Sequence, residues 1–347
     1  MHKLPPPVEW TFATPAITSG YGAEADWAYS VIETSDKAVL AAGFVEDASF
    51  NRKPTLYKYD PFKKTVLWES VMFPGSQAVT QIGNVFYDVF EFDDGNGNAY
   101  YSVGTKTTSN AAGLRLIIAK VHPEDGSAFS GYPKVIQLNI GETIACRGYS
   151  MAPIISNNTF DGYMISGYID DGTIQAVLIK LDENGDIDTG FGIAGYAAFS
   201  FTGYEEARFW NFTPIHDSGE LLGYAATGWV KDGEDEDIFV VRTDLDGVEE
   251  WNNIITRTEL NTALYDDGDL DPWRCGVPDG YEANRGFDIK IGPDGDFIIS
   301  AQVDFYQIRK AEDVDVLCDA PWAAVYVEYT EFSSALLKIN ENNGTVE

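Results

Sequence analysis

The chain has 347 residues, with 55 Asp and Glu against 23 Lys and Arg, for a formal net charge of −32. A hydrophobic share of 44% and an aromatic share of 14% exclude a disordered chain, which pairs high charge with low hydrophobicity. The acid excess argues against phosphate backbones and anionic lipid as partners, and no apolar run reaches the ~18 residues of a membrane span.

The chain opens Met1-His-Lys-Leu-Pro-Pro-Pro, read as a short tail over 1–7. No apolar segment follows the basic residues, so this is not a signal peptide. Val8-Glu-Trp10 looks like the start of an outer strand. From there a pattern recurs: a short apolar strand, a Lys or Arg, an Asp- or Asn-rich turn, then an aromatic. It reads Leu56-Tyr-Lys-Tyr-Asp-Pro-Phe-Lys-Lys-Thr-Val-Leu-Trp68, and returns at Ile118–Phe129, Leu178–Phe191, Val240–Trp251 and Leu336–Glu347. The basic anchors are Lys58, Lys120, Lys180, Arg242 and Lys338, spaced by 62, 60, 62 and 96 residues.

Between anchors stands a second element, an alternating strand, an Asp/Gly/Asn turn and a strand ending in small residues. It spans Tyr29 to Gly43, Tyr87 to Gly104, Tyr149 to Gly167, Phe209 to Gly228 and Phe287 to Ser300. Period-2 alternation about such turns signals a hairpin. Each unit of about 60 residues therefore holds four strands, and four-stranded units in series predict an all-β protein, a β-propeller of antiparallel blades over 1–347. Five units are present, as a closed five-blade ring or as part of a larger propeller; ring closure would remove exposed sheet edges.

The unit Tyr57-Lys-Tyr-Asp-Pro-Phe-Lys-Lys-Thr-Val-Leu-Trp68 resembles the repeat of PQQ-like β-propellers. Lys180-Leu-Asp-Glu-Asn-Gly-Asp-Ile-Asp-Thr-Gly-Phe-Gly192 is similar to the delta-60 repeat of secreted bacterial proteins, and Val241–Trp251 to repeats of large bacterial surface proteins. The resemblance implies a fold and an extracellular setting, secreted or at the cell surface. It does not carry quinone binding over: Cys146, Cys275 and Cys318 are scattered, where quinone enzymes of this type use adjacent cysteines.

The fifth unit is the irregular one. Two insertions, 252–283 and 303–334, fall in connections that a meander places at one end of the sheet. Each carries one cysteine, and a Cys275–Cys318 disulfide would staple them if their Cα atoms come within about 7 Å. Tyr265, Trp273, Trp322 and Tyr326 are candidate contacts for a glycan or a protein partner. Asp266, Asp267, Asp269 and Asp271 are candidate oxygen ligands for Ca2+, although their order is not that of an EF-hand loop. Asp182–Asp188 has some of that spacing and reads as a turn. His2, His122 and His216 lie in no metal or triad motif, and no catalytic residue is assigned. The expectation is a non-enzymatic adhesion, scaffolding or ligand-binding module acting through the face with the insertions. The alternative is a carbohydrate-active hydrolase or lyase with carboxylates at the propeller axis.

Overall fold

A computed structural model describes residues 27–47, 51–73, 84–107, 113–138, 144–233, 235–256, 284–306 and 330–346, with the backbone alone described at 303–306 and 330–335. The first sheet is β1 (Trp27–Glu33), β2 (Val39–Glu46), β3 (Arg52–Asp60) and β4 (Thr65–Val71). The second is β5 (Val85–Asp93), β6 (Asn98–Thr107), β7 (Leu114–Val121) and β8 (Lys134–Ile136). The third is β9 (Ala145–Ser156), β10 (Thr159–Asp170), β11 (Ile174–Leu181) and β12 (Tyr196–Phe199). A single parallel pairing, Ile174 with Glu206, joins it to β13 (Glu206–Asp217), β14 (Glu220–Asp232), β15 (Asp235–Thr243) and β16 (Glu249–Ile255). The last is β17 (Arg285–Ile291), β18 (Phe297–Tyr306) and β19 (Thr330–Ile339), extended by a bridge from Ile339 to Val346.

Each sheet is an antiparallel meander, and the first strand of each packs against the first and second strands of its neighbours. That radial order makes the molecule a β-propeller with the first strands innermost. Four apolar clusters fill the four spaces between consecutive blades. Leu40 and Leu56 meet Phe86, Tyr100 and Ile117; Tyr101 and Leu116 meet Tyr163 and Ile165; Met164 and Leu178 meet Phe209 and Phe239; Ile238 and Val240 meet Ile289 and Ile299. Burying one such side chain contributes roughly 1.5–3 kcal/mol. Cys146 belongs to the second space, buried and unpaired, and burial pushes its thiol up to about 12.

At two of the junctions the repeated anchor and aromatic fasten one blade to the next. The Trp68 indole N–H and the Lys58 ammonium both donate to Pro123 O, at 3.0 Å each. Arg242 and Trp251 do the same to Glu341 O, at 2.9 and 3.1 Å. Between the second and third blades, Tyr132 and Lys134 both donate to Asn184 O, at 3.0 and 2.8 Å. The receiving turn carries a glycine at positive φ, and a Cβ there would collide with the aromatic: Gly126 (φ 70) meets Trp68 at 2.5 Å, and Gly344 (φ 74) meets Trp251 at 2.6 Å. The anchor lysines also hold their own blade, Lys58 on Asp36 at 2.7 Å and Lys120 on Asp94 at 2.5 Å.

Two boundaries are corrected. Strand pairing continues through Ile255 in β16 and from Tyr306 to Thr330 across β18 and β19, so the two irregular segments are shorter than 252–283 and 303–334. Backbone pairing extends a hairpin past the point where its side-chain pattern stops alternating. The 1–7 tail and the strand start expected at Val8–Trp10 lie outside the described residues. No helix among the described residues is long and apolar enough to cross a membrane.

Candidate functional site

All five innermost strands bear a β-bulge at the same level. Pairing slips between Ala28 and Ser30, Phe86 and Asp88, Gly148 and Ser150, Phe209 and Asn211, and Gly286 and Asp288. The extra residues are Tyr29, Tyr87, Tyr149, Trp210 and Phe287. The repeated element as read from the sequence starts at Phe209 in the fourth unit, but Phe209 is fully buried in the core and Trp210 is the bulged residue. The bulge brings the inner strand close to its partner, which explains the small residues there: a Cβ at Gly104 would stand 1.9 Å from Val85 O, and one at Gly167 would stand 1.8 Å from Arg147 O.

The bulged rings run from blade to blade. Tyr29 and Tyr87 have centroids 5.0 Å apart, Tyr87 and Tyr149 4.9 Å, Tyr149 and Trp210 4.4 Å, and Trp210 and Phe287 5.4 Å. Such separations are attractive for aromatic pairs. Tyr149 is buried, whereas Tyr87, Trp210 and Phe287 keep part of their surface open and Tyr29 is 46% exposed.

Each bulged aromatic is followed by a polar residue: Ser30, Asp88, Ser150, Asn211 and Asp288. Asp88 Oδ1 accepts from Ser30 Oγ at 3.0 Å and from its neighbour Val89 N at 2.8 Å. Its Oδ2 accepts from Ser150 Oγ at 2.9 Å and from Met151 N at 3.2 Å. Burial is the leading influence and pushes this carboxyl above its ordinary value, while the four donors pull it down. Four donors occupy both oxygens, so Asp88 ties three blades together and has no free edge from which to pass a proton to a ligand. Asp288 accepts from Asn211 Nδ2 at 2.8 Å and Ile289 N at 2.9 Å, with Lys290 at 3.1 Å.

Two residues before each bulge stand Trp27, Val85, Arg147, Arg208 and Arg285. The arginines alternate with rings: Arg147 and Arg208 lie 5.6 and 4.6 Å from the Tyr168 centroid, and Arg208 and Arg285 lie 5.9 and 5.2 Å from that of Trp229. Burial is the leading influence raising the phenols of Tyr87 and Tyr168, so both remain neutral and offer ring faces to Arg147. Arg208 pairs with Glu206 at 2.6 Å, and Arg285 with Glu236. Trp27 is 60% exposed. This level lies toward the N-terminal ends of the inner strands, the end at which a meander also makes its second-to-third-strand connections.

The residues singled out in the insertions, Tyr265, Trp273, Trp322, Tyr326, Asp266, Asp267, Asp269, Asp271, Cys275 and Cys318, lie outside the described residues. Among the described residues no three His, Cys, Asp or Glu side chains gather as a metal site. The Asp182–Asp188 segment is a turn, with Asp182 Oδ1 accepting from the N–H groups of Asn184 and Asp186 at 2.9 Å. The His216 ring contacts Ile155 O at 2.8 Å, and His122 stacks on Phe129 at 3.7 Å. The axial level was within reach of sequence reading: an aromatic-polar dipeptide recurs at 29–30, 87–88, 149–150, 210–211 and 287–288.

Neither a protein-family model nor a curated protein sequence matches the chain. Solved structures similar to it include an exo-β-1,3-galactanase from Phanerochaete chrysosporium, at 11% identity and TM-score 0.43, over 79% of this chain and 55% of that one. An endo-arabinase from Bacteroides thetaiotaomicron has 9% identity and TM-score 0.39, over 93% of this chain and 97% of that one. An exo-1,5-α-L-arabinanase from a bovine ruminal metagenomic library has 10% identity and TM-score 0.39, with the same coverage. The chain thus spans about half the length of the galactanase.

Proposed function

We propose that this propeller is a glycan-directed protein that takes its ligand at the aromatic and arginine level of the inner strands, in the extracellular setting that the repeat resemblance implies. One observation carries the reading. Trp27, 60% exposed, and Tyr29, 46% exposed, sit on an innermost strand, where equivalent positions of other blades hold half-buried Arg147, Tyr87 and Trp210. Open ring faces beside fixed hydrogen-bond donors suit sugars, which present C–H faces and hydroxyl edges. Titration of the protein with oligosaccharides, followed by tryptophan fluorescence, tests this: Trp27→Ala is expected to weaken binding about tenfold with an unchanged melting temperature. Equal binding by the variant overturns the placement of the site.

Hydrolysis is a second reading, favoured by the inner strands' placing Asp88 and Asp288 at one level. A glycosidase needs one carboxyl to give a proton and another to attack or activate water. The four donors around Asp88 exclude it from the first role. Release of reducing sugar from an oligosaccharide, abolished by Asp288→Asn, would carry the hydrolytic reading; no release from substrates that bind supports binding alone.

A further inference from the structure

Among the described residues, Arg147 has no carboxylate partner of the kind that its two counterparts have. Arg208 is paired with Glu206, two residues earlier on its own strand, and Arg285 with Glu236 on the third strand of the preceding blade. The same two positions can be found around Arg147. Two residues earlier on its own strand stands Ala145. The registers Gly228 with Phe239 and Gly104 with Ile117 align the two preceding blades, and they put Leu114 where Glu236 stands. Both places that could neutralise Arg147 therefore carry aliphatic side chains.

What remains around Arg147 is aromatic. Its guanidinium lies 5.7, 5.8 and 5.6 Å from the centroids of Tyr87, Tyr149 and Tyr168. Its one hydrogen bond among the described residues is a long one, from Nη1 to Tyr149 OH at 3.4 Å, and its Nε is buried without a partner. A partly exposed guanidinium with no counter-ion among the described residues is costly to hold in place. The three-arginine ladder carries two carboxylates, which leaves one positive charge at the end nearest the exposed aromatics of the first blades.

We propose that Arg147 is the anion-reading residue of the axial site and that the ligand is an acidic glycan, whose uronate carboxylate takes the place filled by Glu206 and Glu236 in the neighbouring blades. This rests on the glycan reading above. The planar fork of a guanidinium matches a carboxylate, and ring faces on several sides fix its orientation. Neutral sugars would leave the charge unanswered, so specificity arises from the acid group.

Isothermal titration with trigalacturonate, with its methyl ester and with neutral galactotriose tests the proposal on the full chain. The acid is expected to bind at least tenfold more tightly than the ester, and Arg147→Met is expected to weaken acid binding at least tenfold more than it weakens ester binding, so that the preference disappears. Arg147→Lys should recover only part of the preference, since it keeps the charge and loses the fork. Thermal melts of both variants check that the blades remain assembled. Equal affinity for acid and ester in the wild type, or an acid preference that survives Arg147→Met, overturns the anion subsite while the glycan reading stands. If neither form nor the neutral sugar binds, the glycan reading fails and takes this proposal with it.

Discussion

At the scale of single residues, two carboxylates placed in similar turns and strands behave in opposite ways. Asp88 accepts four hydrogen bonds that connect three blades. Removing it in Asp88→Ala strands two hydroxyls and two N–H groups, at an expected cost of about 3 kcal/mol in denaturant unfolding; a loss near zero would show that the tie is dispensable. Asp94 is also influenced most by burial, which raises it, but Lys120, Tyr101 and the Asn96 N–H outweigh burial and the net shift is downward. A lowered folded value means that the contribution of Asp94 is full above about 3.8 and is lost as pH falls below that toward the folded value. Asp94→Asn should therefore flatten the fall of melting temperature between pH 4 and lower pH; an unchanged slope would refute the assignment. Asp88, raised by burial, has the opposite sign: its contribution declines as pH rises from about 3.8 through its folded value. None of this was legible in the sequence, where both are one Asp among many. Nor was the isolation of Arg147, which depends on what two neighbouring strands present to it.

At the scale of elements, the hairpins and anchors were legible because alternation and turn chemistry are local. The register at the bulges was not, because an inserted residue breaks the period-2 pattern on which the reading depends. That is why the fourth repeated element, as read from the sequence, starts at Phe209, although Trp210 is the residue that corresponds to Tyr29, Tyr87, Tyr149 and Phe287. The glycine of the anchor turn has a packing reason that spacing alone does not reveal, namely the ring of the preceding blade. Two glycines of the same backbone class separate the effects. A Cβ added at Gly126 (φ 70) would stand 2.5 Å from the Trp68 ring, while one at Gly95 (φ 92) would have nothing within 4 Å. Gly95→Ala incurs backbone strain alone, about 1–2 kcal/mol. Gly126→Ala incurs that strain and a collision with an indole, and is expected to cost about 2 kcal/mol more. Equal losses in denaturant unfolding would mean that the indole moves aside freely.

At the scale of the whole molecule, the net charge of −32 opposes compaction, since most of the acid has no cation to meet. Raising NaCl from 10 to 500 mM should therefore raise the melting temperature by several degrees, because the Debye length shrinks from about 30 Å to a few ångströms. A fall would show that ion pairs such as Lys58–Asp36 outweigh the general repulsion. The way the blades are fastened has a further consequence. Pro123 receives Trp68 and Lys58, and Glu341 receives Trp251 and Arg242, so in both cases the donor precedes the receiver along the chain. At these two junctions the fastening consequently has a direction, like a clasp closed by the unit that follows. During synthesis, a unit stays half fastened until the following turn has left the ribosome. Hook and eye stand in different units at such a junction, so neither unit closes its clasp by itself.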